Sequence, residues 1–352
     1  MSVSNGFARM AGLSIANPSH VLRQAEVARR AGELFGGNLA SFDRLRPVYE
    51  NAEIDTRYSC VPIEWYQEVH GFGERNSLFL SNAVDLLEQA AEAALDKAGL
   101  SVEDIDGIVA VSSSGIATPS LDALLMERMS FRRDVQRLPI FGLGCAGGVI
   151  GLARAAQMAR SQPGKNFLYL VVELCGLTFR SRDFSKSNVI ATALFGDGAA
   201  AAIVGTDLKG DAEIRNAGEH TWNDSLDIMG WDVTDDGLSV IFSRDIPTHV
   251  RTLMGGAFEG YLEREGLSRD EHEHFLSHPG GAKVLDALEH LFGLPEGGLH
   301  HSRETLRNFG NMSAATVMFV VHAALQDGLK GRALLSTLGP GFTAGFLTMD
   351  LL

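Results

Sequence analysis

The sequence predicts an α/β protein made of two similar halves. Apolar strand-like runs alternate with segments of helical spacing along most of the chain, the grammar of helices packed on a sheet. The same order of elements returns in the second half. In each half a reactive residue stands at a strand end or helix start, Cys145 first and Asn311 second, about 166 positions apart. No Pro/Ser-rich linker parts them, so the expectation is one rigid body with halves at residues 1–206 and 207–352.

The elements follow in order. Residues 19–36 carry an amphipathic pattern closed by Gly36 and Gly37, and residues 77–98 a longer one stopped by Gly99. A buried strand follows in DIDGIVAVS from Asp104, then a strand at 138–142 and a helix at 147–160 stopped by Pro163 and Gly164. Strands at 167–173 and 199–204 complete the first half. Residues 207–236 are the least regular and read as loops or an insertion. The second half offers a strand at Phe275–His278, helices at 283–292 and 312–328, and strands in ALLSTLG and GFLTMDLL.

Composition narrows the class. A chain of 352 residues is long enough to bury a large core, and 45% hydrophobic with 21% charged residues is the balance of a soluble globular protein. Lys and Arg number 30 against 44 Asp and Glu, a net charge of -14 that argues against a dedicated nucleic-acid binder. The three cysteines, Cys60, Cys145 and Cys175, form no disulfide framework and point to a reducing compartment. The first ten residues lack a charged-then-apolar signal, and no apolar run is long enough to span a membrane. The expected location is the cytoplasm.

Three residues carry the chemistry. Cys145 lies in LPIFGLGCAGGVIGL, where a strand runs into glycines and a helix begins. A thiol at a helix N-terminus sees the positive end of the dipole, and flanking glycines free backbone N–H groups for an oxyanion. Read alone, it is equally a small inert core cysteine. His278, between an apolar strand and Pro-Gly-Gly, is either aimed into a cleft or a satisfied core histidine. Asn311, in RNFGNMSAA, reads by itself as a helix N-cap. Together, a Cys, a His and an Asn on glycine-rich junctions are a nucleophile, a base and an oxyanion donor or orienting group. The remaining histidines, among them His272, His274, His300 and His301, read as solvated, and no Cys or His spacing completes a metal site.

Other readings compete. Gly142, Gly144 and Gly147 match the dinucleotide fingerprint and Glu173 ends the following strand, as in an NAD-dependent dehydrogenase. A cysteine inside that turn and 140 residues before it count against this. The order Cys, His, Asn also fits papain-like proteases, but Cys145 lacks their aromatic neighbour.

The motifs GLGCAGG, LFGDGAAAAIVG (194–205), HPGGAKVLDALE (278–289), NFGNMSAATVMF (308–319) and LGPGFTAG (338–345) resemble those of type III polyketide synthases. These are chalcone synthase-like condensing enzymes of the thiolase-like fold, two duplicated α/β halves with helices between and around two mixed sheets. The five motifs occur in the family's order, and the resemblance covers roughly residues 15–352. The GPGF element separates the family from ketoacyl-ACP synthase III, which shares the triad. True thiolases need a second catalytic cysteine in the C-terminal half, and none follows Cys175.

The resemblance implies that Cys145 accepts the acyl chain, while His278 and Asn311 hold the malonyl thioester and stabilise the enolate as carbon dioxide leaves. It also implies that His278 sustains the Cys145 thiolate. Phe195 matches one gatekeeping phenylalanine, and the second falls on Val240, which implies a wider gate. Glu173, Cys175 and Thr178 fall on cavity-lining positions, Cys175 replacing a threonine of the chalcone-forming members. Trp231 stands where plant enzymes have glycine, so part of the cavity is filled. Thr118 takes the place of the methionine that reaches across the family's dimer. The resemblance also implies CoA phosphate binding by Arg44 and Arg46, which fall where the family places basic side chains, with Lys283, one turn past the HPGG loop, as a second candidate.

The expectation is therefore a homodimeric acyltransferase with no metal or redox cofactor, acyl-CoA and malonyl-CoA being its substrates. Val240 and Cys175 suit a fatty acyl starter and an alkylpyrone or alkylresorcinol product. A ketoacyl-ACP synthase III-type single condensation and a dehydrogenase stay as alternatives, as does a non-catalytic relative of the fold.

Overall fold

A computed structural model describes residues 6–36, 42–243 and 245–352. In the first half the strands are β1 (Ala8–Ala16), β2 (His20–Arg23), β3 (Thr56–Ser59), β4 (Gly107–Val111), β5 (Gln136–Ile140), β6 (Asn166–Leu174) and β7 (Asp197–Gly205). The second half holds β8 (Ala212–Thr221), β9 (Met229–Thr234), β10 (Gly237–Phe242), β11 (His274–Ser277), β12 (Gly331–Gly339) and β13 (Thr343–Leu351). Nine strands lie side by side in the order β11-β12-β13-β8-β1-β7-β6-β4-β5, and the two expected mixed sheets join because β1 and β8 pair antiparallel. The short ribbons β2–β3 and β9–β10 stand apart.

Strand order repeats on either side of that join. One side runs β1-β7-β6-β4 with β5 at its edge, the other β8-β13-β12-β11. On each side the second strand is antiparallel to both its neighbours, while the outer pair, β6–β4 or β12–β11, is parallel.

Alternation along the strands builds three apolar layers. In β7, Ala200, Ala202 and Val204 face a central core, while Ala199, Ala201 and Ile203 face an outer one. The central core takes residues of the helices Gly147–Ser161 and Thr316–Gln326, together with Leu335, Leu347 and Met349 from the second half. The first outer layer is the helix Phe72–Ala98, buried through Phe79, Ala83, Leu87, Ala90 and Ala94 and ended by Gly99 at φ 67°. The second outer layer packs the helices Gly255–Glu265 and Ala282–Leu291 on Leu334 and Phe346. Alanine favours helices, so packing on both faces is what holds the tract in β7 extended.

Several elements differ from expectation. The helix expected at 19–36 begins only at Gln24, because His20–Arg23 pair with Thr56–Ser59 and leave Arg23 extended. It ends at Phe35 with Gly36 as its cap, and Gly37 lies outside the described residues. β1 carries no apolar alternation, and its Gly12 (φ 66°) is required because a Cβ there would meet Ala94 O at 2.3 Å. The stretch 207–236 is no insertion: it contains β8, the strand that joins the halves, and β9, the first strand of the β9–β10 ribbon. β8 is half-exposed and carries Glu213, Arg215 and Glu219, which hides it as a strand.

His300 and His301 open a helix that the sequence reading did not identify, His300–Phe309, whose inner face is Ser302, Thr305 and Leu306. His272 is not solvated. It is buried, with ring nitrogens 3.1 Å from Ser268 O and 2.9 Å from the Thr348 hydroxyl.

Candidate active site

The two central helices start at the same place. A 3-10 turn at Gly144–Ala146 leads into Gly147–Ser161, and another at Ser313–Ala315 leads into Thr316–Gln326. The turns touch so closely that a Cβ on Gly148 would lie 2.2 Å from Ala314 O, and one on Gly144 (φ 46°) 2.5 Å from Pro340. Gly144 and Gly148 therefore admit the other half of the protein, and Gly147 packs on Val111 and Ala314, so the turn is filled by protein where a pyrophosphate would have to lie. This removes the structural basis for the dehydrogenase reading.

Cys145, His278 and Asn311 all line one cavity of about 30 Å³. Its walls include Met229, Phe242, Val284 and Leu288. His278 follows β11, its backbone N–H bonded to Ser336 O at 2.8 Å. Its ring is buried, and neither nitrogen has a hydrogen-bond partner among the described residues. Burial without a partner pushes its pKa down to about 3, so the imidazole is neutral. Asn311 is fully buried; its amide donates to Gly280 O at 3.3 Å and its carbonyl accepts the Ser313 N–H at 2.8 Å. The carbonyl bond closes an Asx-type turn on Ser313; the N-cap of the 3-10 turn that follows is Met312, so Asn311 is not the helix N-cap expected, and its amide faces the loop after His278.

The Cys145 thiol bonds the Ser313 hydroxyl at 3.6 Å, and the Cys145 carbonyl accepts the Thr337 hydroxyl at 2.6 Å. Burial pushes the thiol up to about 12, outweighing the Ser313 bond, which acts downward. The resting pair is a neutral thiol and a neutral imidazole. That is a different balance from the dipole-favoured thiolate expected at a helix start. Ser313 and Thr337 escape sequence reading. The one local signal for Ser313 is that Asn311 stands two residues before it, positioned to support its left-handed backbone at φ 46°.

A second cavity, of about 90 Å³, is lined by Phe195, Val240, Cys175 and Thr178. It extends between apolar side chains of the helix Gln24–Phe35, including Val27, Ala31, Leu34 and Phe35. Trp231 packs edge-on to Phe195, ring centres 6.3 Å apart, and donates its indole N–H to Ser113 O at 2.8 Å. Glu173 is fully buried and receives the Ser113 N–H at 3.0 Å and its hydroxyl at 2.7 Å. Burial raises its pKa. Glu173 and Trp231 thus meet at Ser113 as supports, and neither lines the two cavities.

Arg44 and Arg46 are exposed, at the short helix Phe42–Leu45 and just after it. Lys283 is exposed in the first turn of Ala282–Leu291. These three also stand outside both cavity walls, and Thr118 lies on an exposed loop. No cluster of His, Cys, Asp or Glu among the described residues is placed to hold a metal ion.

Residues 2–208 match the family described as chalcone and stilbene synthases, N-terminal domain, and residues 213–349 match its C-terminal domain. The chain is 38% identical over 353 residues to 1,3,6,8-tetrahydroxynaphthalene synthase of Streptomyces peucetius, covering 97% of this chain and 92% of that protein. It is 29% identical over 313 residues to 3,5-dihydroxyphenylacetyl-CoA synthase of Amycolatopsis balhimycina, covering 85% and 83%. The crystal structure of 1,3,6,8-tetrahydroxynaphthalene synthase from Streptomyces coelicolor, a bacterial type III polyketide synthase, superposes with a TM-score of 0.92. That match has 28% identity and covers 97% of this chain and 99% of the other. Fold, twin-domain match and relatives agree, and the chain belongs to the chalcone and stilbene synthase family, the type III polyketide synthases, as a condensing enzyme that uses CoA thioesters.

Proposed function

We propose that Cys145 carries the growing acyl chain while His278 and Asn311 perform the malonyl step. The Cys145 sulfur displaces CoA from an acyl-CoA starter and forms a thioester. Malonyl-CoA then binds with its thioester carbonyl facing the His278 imidazole and the Asn311 amide. Carbon dioxide leaves, its bonding electrons pass into an enolate, and these two donors stabilise the oxyanion. The enolate carbon attacks the Cys145 thioester; a C–C bond forms, the C–S bond breaks and the thiolate is released for the next round. The observation that carries this reading is the buried His278 ring beside Cys145 and Asn311, which has no partner at either nitrogen among the described residues. A neutral imidazole is the form able to donate from one nitrogen with no charge to desolvate.

The starter reading rests on the second cavity. Its apolar walls from Val240 to Phe35 suit a fatty acyl chain, with an alkylpyrone or alkylresorcinol as the product. Another reading is a tetrahydroxynaphthalene-type product with no alkyl chain. The 38% identity to a synthase of that name and the bulk of Trp231 beside Phe195 favour it. Arg44, Arg46 and Lys283 are assigned to the CoA phosphates and Thr178 to the cavity wall, with Trp231 backing Phe195 and Glu173 acting from behind through Ser113. The halves divide at 206/207. The enzyme works as a homodimer through the open edge of β5, where Ile116 and Phe141 are exposed apolar side chains. Its three cysteines are free thiols, which suits the cytoplasm.

The test is mass spectrometry of products from purified enzyme, malonyl-CoA and acyl-CoA starters from acetyl to stearoyl. Cyclised triketides or tetraketides bearing a long alkyl chain support the fatty-acyl reading. Naphthol formation from malonyl-CoA alone supports the other. A single β-ketoacyl product that appears only with carrier-bound malonate overturns both.

A further inference from the structure

Arg57 lies in β3, is 1% exposed, and is the largest fully buried side chain among the described residues. One terminal nitrogen donates to Phe195 O at 3.2 Å, and the other to the Gln24 side-chain carbonyl. Its Nε has no partner among the described residues. Gln24 in turn donates to Ala193 O and Tyr49 O, each at 3.0 Å. Two side chains from the N-terminal segment thus grip alternate carbonyls of the stretch that ends in Phe195.

That stretch is what Asn311 rests on. Phe195 and Asn311 form a parallel bridge: the Asn311 N–H donates to Leu194 O at 2.8 Å, and the Gly196 N–H donates to Asn311 O at 3.0 Å. The strands are pressed together over Arg57. A Cβ on Gly196 would meet Phe309 O at 2.4 Å and Arg57 Cβ at 3.2 Å, while one on Gly310 would meet Leu194 O at 2.8 Å. Asp197 accepts the Cys60 and Gly176 N–H groups and lies near enough to attract the Arg57 charge, yet no direct bond joins them.

A buried guanidinium without a bonded carboxylate is costly to fold, and an apolar residue would serve packing alone at least as well. The planar fork of arginine has the rigidity to set one carbonyl against another. We propose that Arg57 is a positioning residue: through Phe195 O it sets the Asn311 amide at the malonyl site and the gate side chain in one fixed relation. The proposal rests on Asn311 acting in the malonyl step.

The experiment compares full-length R57M, R57K and Q24M with N311A and the parent enzyme. Thermal unfolding, starter loading of Cys145 by intact mass, and carbon dioxide release from malonyl-CoA per loadable Cys145 are measured. For R57M we expect kcat for decarboxylation to fall about 10- to 100-fold, with loading within about twofold of the parent, as small misplacements of a catalytic group produce. R57K restores part of the rate, and Q24M, which leaves the charge in place, lowers it in the same direction. Should R57M fail to fold, R57K and Q24M decide the matter. Parental decarboxylation by folded variants, or a loss confined to melting temperature, overturns the proposal. If N311A itself releases carbon dioxide at the parent rate, the reading of Asn311 falls instead.

Discussion

The Ser313 hydroxyl accepts the Cys145 thiol across 3.6 Å, a bond between the starts of the two central helices and so between the two halves of the duplicated fold. Among the described residues it is the one side-chain partner that offsets the burial of the sulfur. Replacing Ser313 by alanine should push the thiol further up and slow alkylation by iodoacetamide at pH 8 by roughly 2- to 10-fold, the value of one hydrogen bond. In the parent, with the thiol at about 12, the rate should climb through the neutral range without a plateau. A plateau below pH 8 would mean a resting thiolate.

His278 bears on acid stability. Its folded pKa is lowered to about 3 from 6.5 by burial, so between those values the unfolded chain binds the extra proton. Stability therefore rises with pH across that window and is lost as pH falls through it. H278Q should show a flatter denaturation midpoint between pH 4 and 6 than the parent. Identical slopes in urea titrations would count against a neutral buried ring.

At the gate, Val240→Phe adds an aromatic ring to the wall shared with Phe195 and Cys175. We expect kcat/KM for stearoyl-CoA to drop by about 10-fold or more, and that for acetyl-CoA to change little. Equal losses for both starters would show that the cavity does not hold the chain.

Gly148→Ala tests the junction of the halves. The new methyl would lie 2.2 Å from Ala314 O and 2.6 Å from Val317, with no flexible side-chain end to yield at the carbonyl. Overpacking of this kind destabilises by about 1–3 kcal/mol. A melting temperature equal to that of the parent would mean that the helices separate more easily than their contact implies.

Phe141→Glu tests the proposed homodimer. The residue is 59% exposed just beyond β5, whose outer edge is unpaired. Sedimentation should show a dimer in the parent and a constant weakened about 30-fold or more in the variant, as loss of an aromatic anchor produces. A dimer of unchanged affinity would place the interface elsewhere.

Much of the fold was legible because it was local. Gly99 announces the end of its helix, and β6, buried on both faces, reads as an apolar run. Cys145, His278 and Asn311 stood out as reactive types on glycine-rich junctions. β1 and β8 were missed for opposite reasons: one is small-residue and glycine-bearing, the other half-exposed and charged. Neither has a periodic face, and it is pairing with already formed neighbours that makes them strands. The helix His300–Phe309 was missed because its inner face is partly hydroxyl, Ser302 bonding Ser277 O at 2.7 Å.

By itself the sequence determined the α/β class, the duplication, the family resemblance and the three residues that meet at one cavity. These follow from periodicity, turn chemistry and motifs, which are properties of neighbours along the chain. Only the tertiary structure decided the charge state of those residues and what supports them. Burial keeps Cys145 and His278 neutral at rest, Glu173 and Trp231 become props on Ser113, and Arg57 reaches Phe195 across 138 positions. Desolvation and long-range hydrogen bonds depend on atoms brought together by folding, and no spacing in a linear chain encodes their distance.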